Sequence, residues 1–105
     1  MNTEIYEAFT VLKTLKKTHP LYWELVDSIP IQSVIEITDI LTKTRVLPGT
    51  DWIQACSILH QYKTQQFMTD KQRRWLVMLA VGYWKLLVKE IERQEFQNNL
   101  NSGFM

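Results

Sequence analysis

The chain reads as an all-α protein, a compact bundle of four to five helices around a long C-terminal helix. Three observations predict this class. Apolar residues recur at three- and four-residue spacing along most of the 105 positions. Glycine and proline number three each, too few for the turns of a many-stranded sheet. From Asp70 to Gln97 there is no proline, and Gly82 is the one interruption of a helical pattern. The length suits one domain with one core. Residues 1–98 are expected to form it, with residues 99–105, "NLNSGFM", as a frayed tail.

The first helix is expected from about Thr3 to Lys17. Ile5, Ala8, Phe9, Leu12 and Leu15 share one side, while Glu7, Thr10, Lys13, Thr14 and Lys17 share the other. Thr3 can cap its free amides. A short second helix follows, with Pro20 at its first position, where a missing N–H is harmless, and Leu21 to Val26 in its two turns.

The third segment, residues 31–43, is ambiguous. Val34, Ile37 and Leu41 fit a helix face, yet "SVIEIT" is β-branched and partly alternating. No second strand offers itself as a partner, so a helix is expected. Pro48-Gly49 makes a turn. The fourth helix, capped by Thr50 or Asp51, turns Trp52, Ala55, Cys56, Ile58, Leu59 and Tyr62 inward.

The last helix has the clearest start. Thr69 and Gln72 form a capping box, and Asp70 suits the positive end of the helix dipole. It is expected to run about 28 residues, some 42 Å, with Leu76, Leu79, Ala80, Tyr83, Leu86, Leu87 and Ile91 inward. The opposite face carries Lys71, Arg74, Lys85, Lys89 and Glu92, but Trp75, Met78, Val81 and Gly82 lie among or beside them. Two arrangements explain that mixture. Neighbouring helices wrap this helix on nearly all sides, or Trp75, Met78, Val81 and Gly82 dock a partner inside a rim of Arg74 and Lys85. Interfaces favour Trp, Met and Arg in this way.

Several classes are set aside. The charge-free run Trp75–Trp84 is ten residues, half of what a membrane span needs. The single Cys56 allows no intramolecular disulfide, and the opening "MNTEIYEAF" has no signal-peptide pattern, so a cytoplasmic location is expected. Cys56 and His60 stand one helical turn apart, but the only other histidine is His19 and no second cysteine exists. A zinc site needs three or four ligands, and Cys56 lies on an apolar face. The pairs Glu36/Asp39 and Glu92/Glu95 suit a solvated surface, and no phosphate-cradling or nucleophile-elbow motif occurs. Neither catalysis, a metal nor a cofactor is expected.

Charge is uneven despite a net of +1. Lys63, Lys71, Arg73, Arg74, Lys85 and Lys89 face only Asp70 across residues 63–89, with Tyr62, Phe67, Trp75, Tyr83 and Trp84 interleaved. Cations mixed with rings suit an RNA or DNA backbone with unstacked bases, and equally a solvated basic face over an aromatic core. Lys71, Arg73, Arg74, Lys85 and Lys89 are the nucleic-acid candidates, with Lys13, Lys16 and Lys17 as a second cluster. Asp70 competes with phosphate at the helix start, and Trp75–Trp84 is too apolar to lie along a major groove.

The function expected is therefore a small binding protein. It serves as a subunit or accessory factor of a larger assembly, one that can include nucleic acid. It meets a protein partner in a hetero-complex or by self-association. The alternative is a regulator or inhibitor, for example phage-encoded, that blocks a nucleic-acid-handling complex. A DNA mimic is not expected, since it would carry a strongly acidic surface and the net charge is modest.

Overall fold

The computed structural model describes the backbone of residues 3–44 and 46–103, and side chains over residues 7–44, 46–93 and 95–97. Six helices and no strand occupy the described residues: α1 Thr3–Thr14, α2 Tyr22–Ser28, α3 Ile31–Lys43, α4 Gly49–Gln65, α5 Asp70–Gly82 and α6 Trp84–Gly103. The all-α class expected from the sequence holds. The arrangement around one long C-terminal helix does not.

The element ends follow local chemistry. α1 stops three residues early, because His19 N donates to the Lys16 carbonyl and Tyr22 N to that of His19, turning the chain. The His19 Nδ1 accepts from Leu21 N at 3.1 Å and braces this turn. α2 ends where Ile29 becomes extended, as the residue before a proline prefers. α3 is a helix despite its β-branched residues. Val34, Ile35, Ile37 and Thr38 all face inward, and the Thr38 hydroxyl is satisfied by the Val34 carbonyl at 2.6 Å. Burial on one helical face outweighs a weak strand preference.

α4 starts at Gly49 behind Pro48, and neither Thr50 nor Asp51 supplies a cap. Trp52, expected inside, is 42% exposed, and its Nε1 donates to the Thr42 carbonyl at 2.9 Å. α5 opens on the expected box: Gln72 N donates to Thr69 Oγ1, and Thr69 N to Gln72 Oε1, each at 3.0 Å. Thr3 as a cap for α1 lies outside the described side chains.

The expected 28-residue helix is divided at Tyr83, whose φ of −103° and ψ of 15° leave the helical region. Gly82 beside it is the weakest helix former in the stretch. Trp84, just past the joint, is buried and stacks on Phe9 of α1, with ring centroids 5.0 Å apart and planes 16° apart. The change of direction alters which residues face inward. Val77, Val81 and Trp84 are buried, Leu79 and Tyr83 are half-buried, and Leu86 is 50% exposed.

The central element is thus α5, which packs against α1, α2, α3 and α6, while α4 is held mainly by α3. One core unites Phe9, Leu12, Tyr22, Val26, Val34, Ile37, Leu41, Ala55, Ile58, Leu76, Val77, Ala80, Trp84 and Leu87. Beyond Ile91 every described side chain of α6 is exposed. The expected fraying of residues 99–105 concerns side chains outside the described set. The α6 backbone itself runs to Gly103.

Phe9 is fully buried and its stack with Trp84 joins α1 to α6. Phe9→Ala is expected to lower stability by ~3–5 kcal/mol, measured as a reduced midpoint in urea unfolding followed by circular dichroism.

Candidate partner-binding surface

The end of α2 leaves carbonyl groups without helical partners, and α5 supplies a cation to them. Arg73, only 18% exposed, donates through Nη2 to the Asp27 carbonyl at 2.8 Å and to the Ile29 carbonyl. Its Nη1 stands 3.8 Å from the Asp27 carboxylate. Arg74 forms a two-point pair with that same carboxylate, Nε to Oδ1 at 2.9 Å and Nη2 to Oδ2 at 2.7 Å. Its guanidinium also lies over the ring of Trp23, 5.7 Å from the centroid. The hydrogen bonds from Arg74 hold the Asp27 carboxyl below its ordinary value, and those to Asp27 raise Arg74 in turn.

This clasp forms one wall of an open groove of about 640 Å³, lined by Trp23, Asp70, Lys71, Arg74, Trp75 and Met78. Trp23 is 42% exposed and braced edge-on by Tyr22, centroids 5.3 Å apart. Trp75 and Met78 are half-buried. Beneath them the buried Tyr22 hydroxyl donates to Met78 Sδ at 3.0 Å, and burial pushes the Tyr22 pKa up. A long thioether is normally the most mobile side chain of a groove. Here it is tied down.

The four residues expected as a docking patch are therefore separated. Trp75 and Met78 line the groove. Val81 belongs to the core, which α5's neighbours close over it. Gly82 is exposed at the joint with α6, and a Cβ placed there would meet nothing within 4 Å, so no described neighbour within the chain requires a glycine there.

The expected basic surface divides as well. Lys71 sits at the groove, and Arg73 and Arg74 are engaged by Asp27 and Ile29. Lys85 and Lys89 lie on α6 beside Lys13 of α1, around a second depression of about 490 Å³ that also includes Thr10, Trp84 and Val88. Sequence reasoning missed Trp23 as a groove residue and Lys13 as a neighbour of Lys85. Trp23 and Trp75 are 52 positions apart, and no periodicity links them.

Cys56 is half-buried and His60 exposed, and His19 is occupied with its own turn. Among the described residues no three His, Cys, Asp or Glu side chains are placed to hold a metal ion. Nor is any helix of the described residues long and apolar enough to cross a membrane. No protein family, curated protein or solved structure matches the chain.

Two outcomes follow from the clasp. Arg73→Ala strips a cation from two carbonyls and is expected to lower stability by ~1.5–3 kcal/mol in denaturant unfolding, so a change at Arg73 reports on the fold before it reports on any ligand. Asp27 is more acidic in the folded chain than unfolded. Its contribution is complete above the ordinary aspartate value of about 4 and fades as pH falls through the lowered folded value. The gap in melting temperature between the native chain and Asp27→Asn should be widest at neutral pH and close on acidification.

Proposed function

We propose that this chain is a non-enzymatic binding protein, a small helical subunit or accessory factor of a larger assembly. It docks a protein partner in the groove of Trp23, Trp75 and Met78. The carrying observation is the composition of that groove: two tryptophans and a methionine left partly open, rimmed by Lys71 and Arg74. Residues of these types supply most of the free energy at protein interfaces when a partner dries them.

Preorganisation supports the same reading. Asp27 fixes Arg74, Arg74 covers Trp23, and Tyr22 fixes Met78. A groove whose side chains are already held loses less entropy on binding. The clasp has a second consequence. Arg74 presents a guanidinium whose charge Asp27 has largely met, so it serves the groove as a flat rim more than as a free cation.

A photoreactive residue at Lys71, at the groove edge, tests the proposal in the cell of origin. It should join the chain to one defined protein, while the same residue at Glu36, on the exposed side of α3, should not. With that protein purified, Trp75→Ala is expected to weaken binding by roughly 30-fold or more with the circular-dichroism spectrum unchanged. Affinity that ignores both Trp75→Ala and Met78→Asp would reject the groove as the docking site. If the partner is a nucleic-acid-handling enzyme that loses activity in the complex, the chain is its inhibitor; if activity is kept, it is a subunit.

A further inference from the structure

A second surface lies apart from the tryptophan groove, where α1 meets the first turns of α6. Lys13, Lys85 and Lys89 come from two helices to surround one depression. All three are exposed, and none pairs with an acid among the described residues. That sets them apart from Arg73, Arg74 and Arg93, which are paired with Asp27, Asp27 and Glu90. Seven residues beyond Lys89, two turns and about 10 Å along the same side of α6, stands Phe96, 66% exposed.

We infer that this stripe binds single-stranded nucleic acid. Lys13, Lys85 and Lys89 take phosphates, and the ring of Phe96 stacks on an unpaired base. Three exposed lysines around one depression, none with a carboxylate partner among the described residues, suit a polyanion. The ring chooses among polyanions. A duplex presents phosphates but keeps its bases stacked on one another, whereas a single strand offers free base faces to an exposed aromatic. An anionic membrane surface fits less well. Such binding needs a continuous apolar face, and on α6 the exposed Leu86 and Phe96 are separated by Lys89, Glu92 and Arg93. Trp84 does not stack a base here, since it is buried against Phe9.

Glu92 is an unfavourable group within the stripe. It is exposed one turn past Lys89, between the lysines and the ring, and it repels a strand that bridges them. That makes it a useful handle, because its replacement should improve binding. The inference needs nothing from the tryptophan groove, so the two surfaces succeed or fail separately.

The test is fluorescence anisotropy of labelled single-stranded RNA, single-stranded DNA and duplex DNA over a range of salt. Single strands should bind with a slope of log affinity on log salt of about −2, as three phosphate contacts require. Lys85→Glu with Lys89→Glu should abolish binding, Phe96→Ala should weaken it roughly tenfold, and Glu92→Lys should tighten it. Trp75→Ala should leave it unchanged. Should the double variant fail to fold, lysine footprinting of the native chain gives the same answer: the strand should protect Lys13, Lys85 and Lys89 from acylation and leave Lys43 reactive. No single-strand binding at low salt would overturn the inference. So would binding that Phe96→Ala does not change, duplex bound as tightly as single strand, or phosphatidylserine vesicles bound where strands are not.

Discussion

Burial of one wide face of α5 is the constraint from which the other arrangements follow. Leu76, Val77, Ala80 and Val81 are all buried, and at 100° per residue they sweep about 140°, a little over a third of the helix surface. A helix buried so widely needs several neighbours, and α1, α2, α3 and α6 supply them. What stays open is a narrow strip through Lys71, Arg74, Trp75 and Met78. Because α2 packs at the edge of that strip, its unsatisfied carbonyls fall within reach of Arg73. The short helix is then held by a cation as well as by Tyr22 and Val26. The groove is the space left between these two helices.

The joint at Tyr83 is the second determining feature. An unbroken helix would carry Lys85 and Lys89 along the same line as Lys71 and Arg74. Gly82 lowers the preference for helix at that point, and burying a large indole against Phe9 rewards a change of direction. α6 therefore leaves with its own inward face, Trp84, Leu87 and Ile91, and brings its lysines to α1. One expected basic face becomes two separate environments.

Partners, more than formal charge, sort the cations. Arg73 is spent on backbone carbonyls, Arg74 on Asp27, Arg93 on Glu90 and Lys63 on Asp39, at 3.1 Å across α3 and α4. Paired and exposed ion pairs of this sort add little stability each, but they remove those groups from the set that can attract an anion. Lys13, Lys85 and Lys89 pair with no acid among the described residues. The same sorting applies to the apolar residues. Val81 is withdrawn into the core, while Trp23 and Met78 are held partly open by contacts with Arg74 and Tyr22.

Local features of the chain were decided by the sequence itself. Helical periodicity and capping signals set the all-α class and the starts of α1, α3 and α5. The Thr69–Gln72 box appears with both of its hydrogen bonds, because everything it needs lies within four residues. Ile31–Lys43 was already legible as a helix, since a strand there lacked a partner. The split of the last helix was marked only by Gly82, and an isolated glycine is tolerated inside a helical pattern; the Phe9–Trp84 stack spans 75 positions. The tertiary structure alone decided that Val81 faces inward, that Arg73 caps α2, that Trp23 joins Trp75, and that Lys13 joins Lys85. The physical reason is common to all four. Each depends on which helix lies beside which, and a pattern within one helix records which of its faces is apolar, not what will cover it.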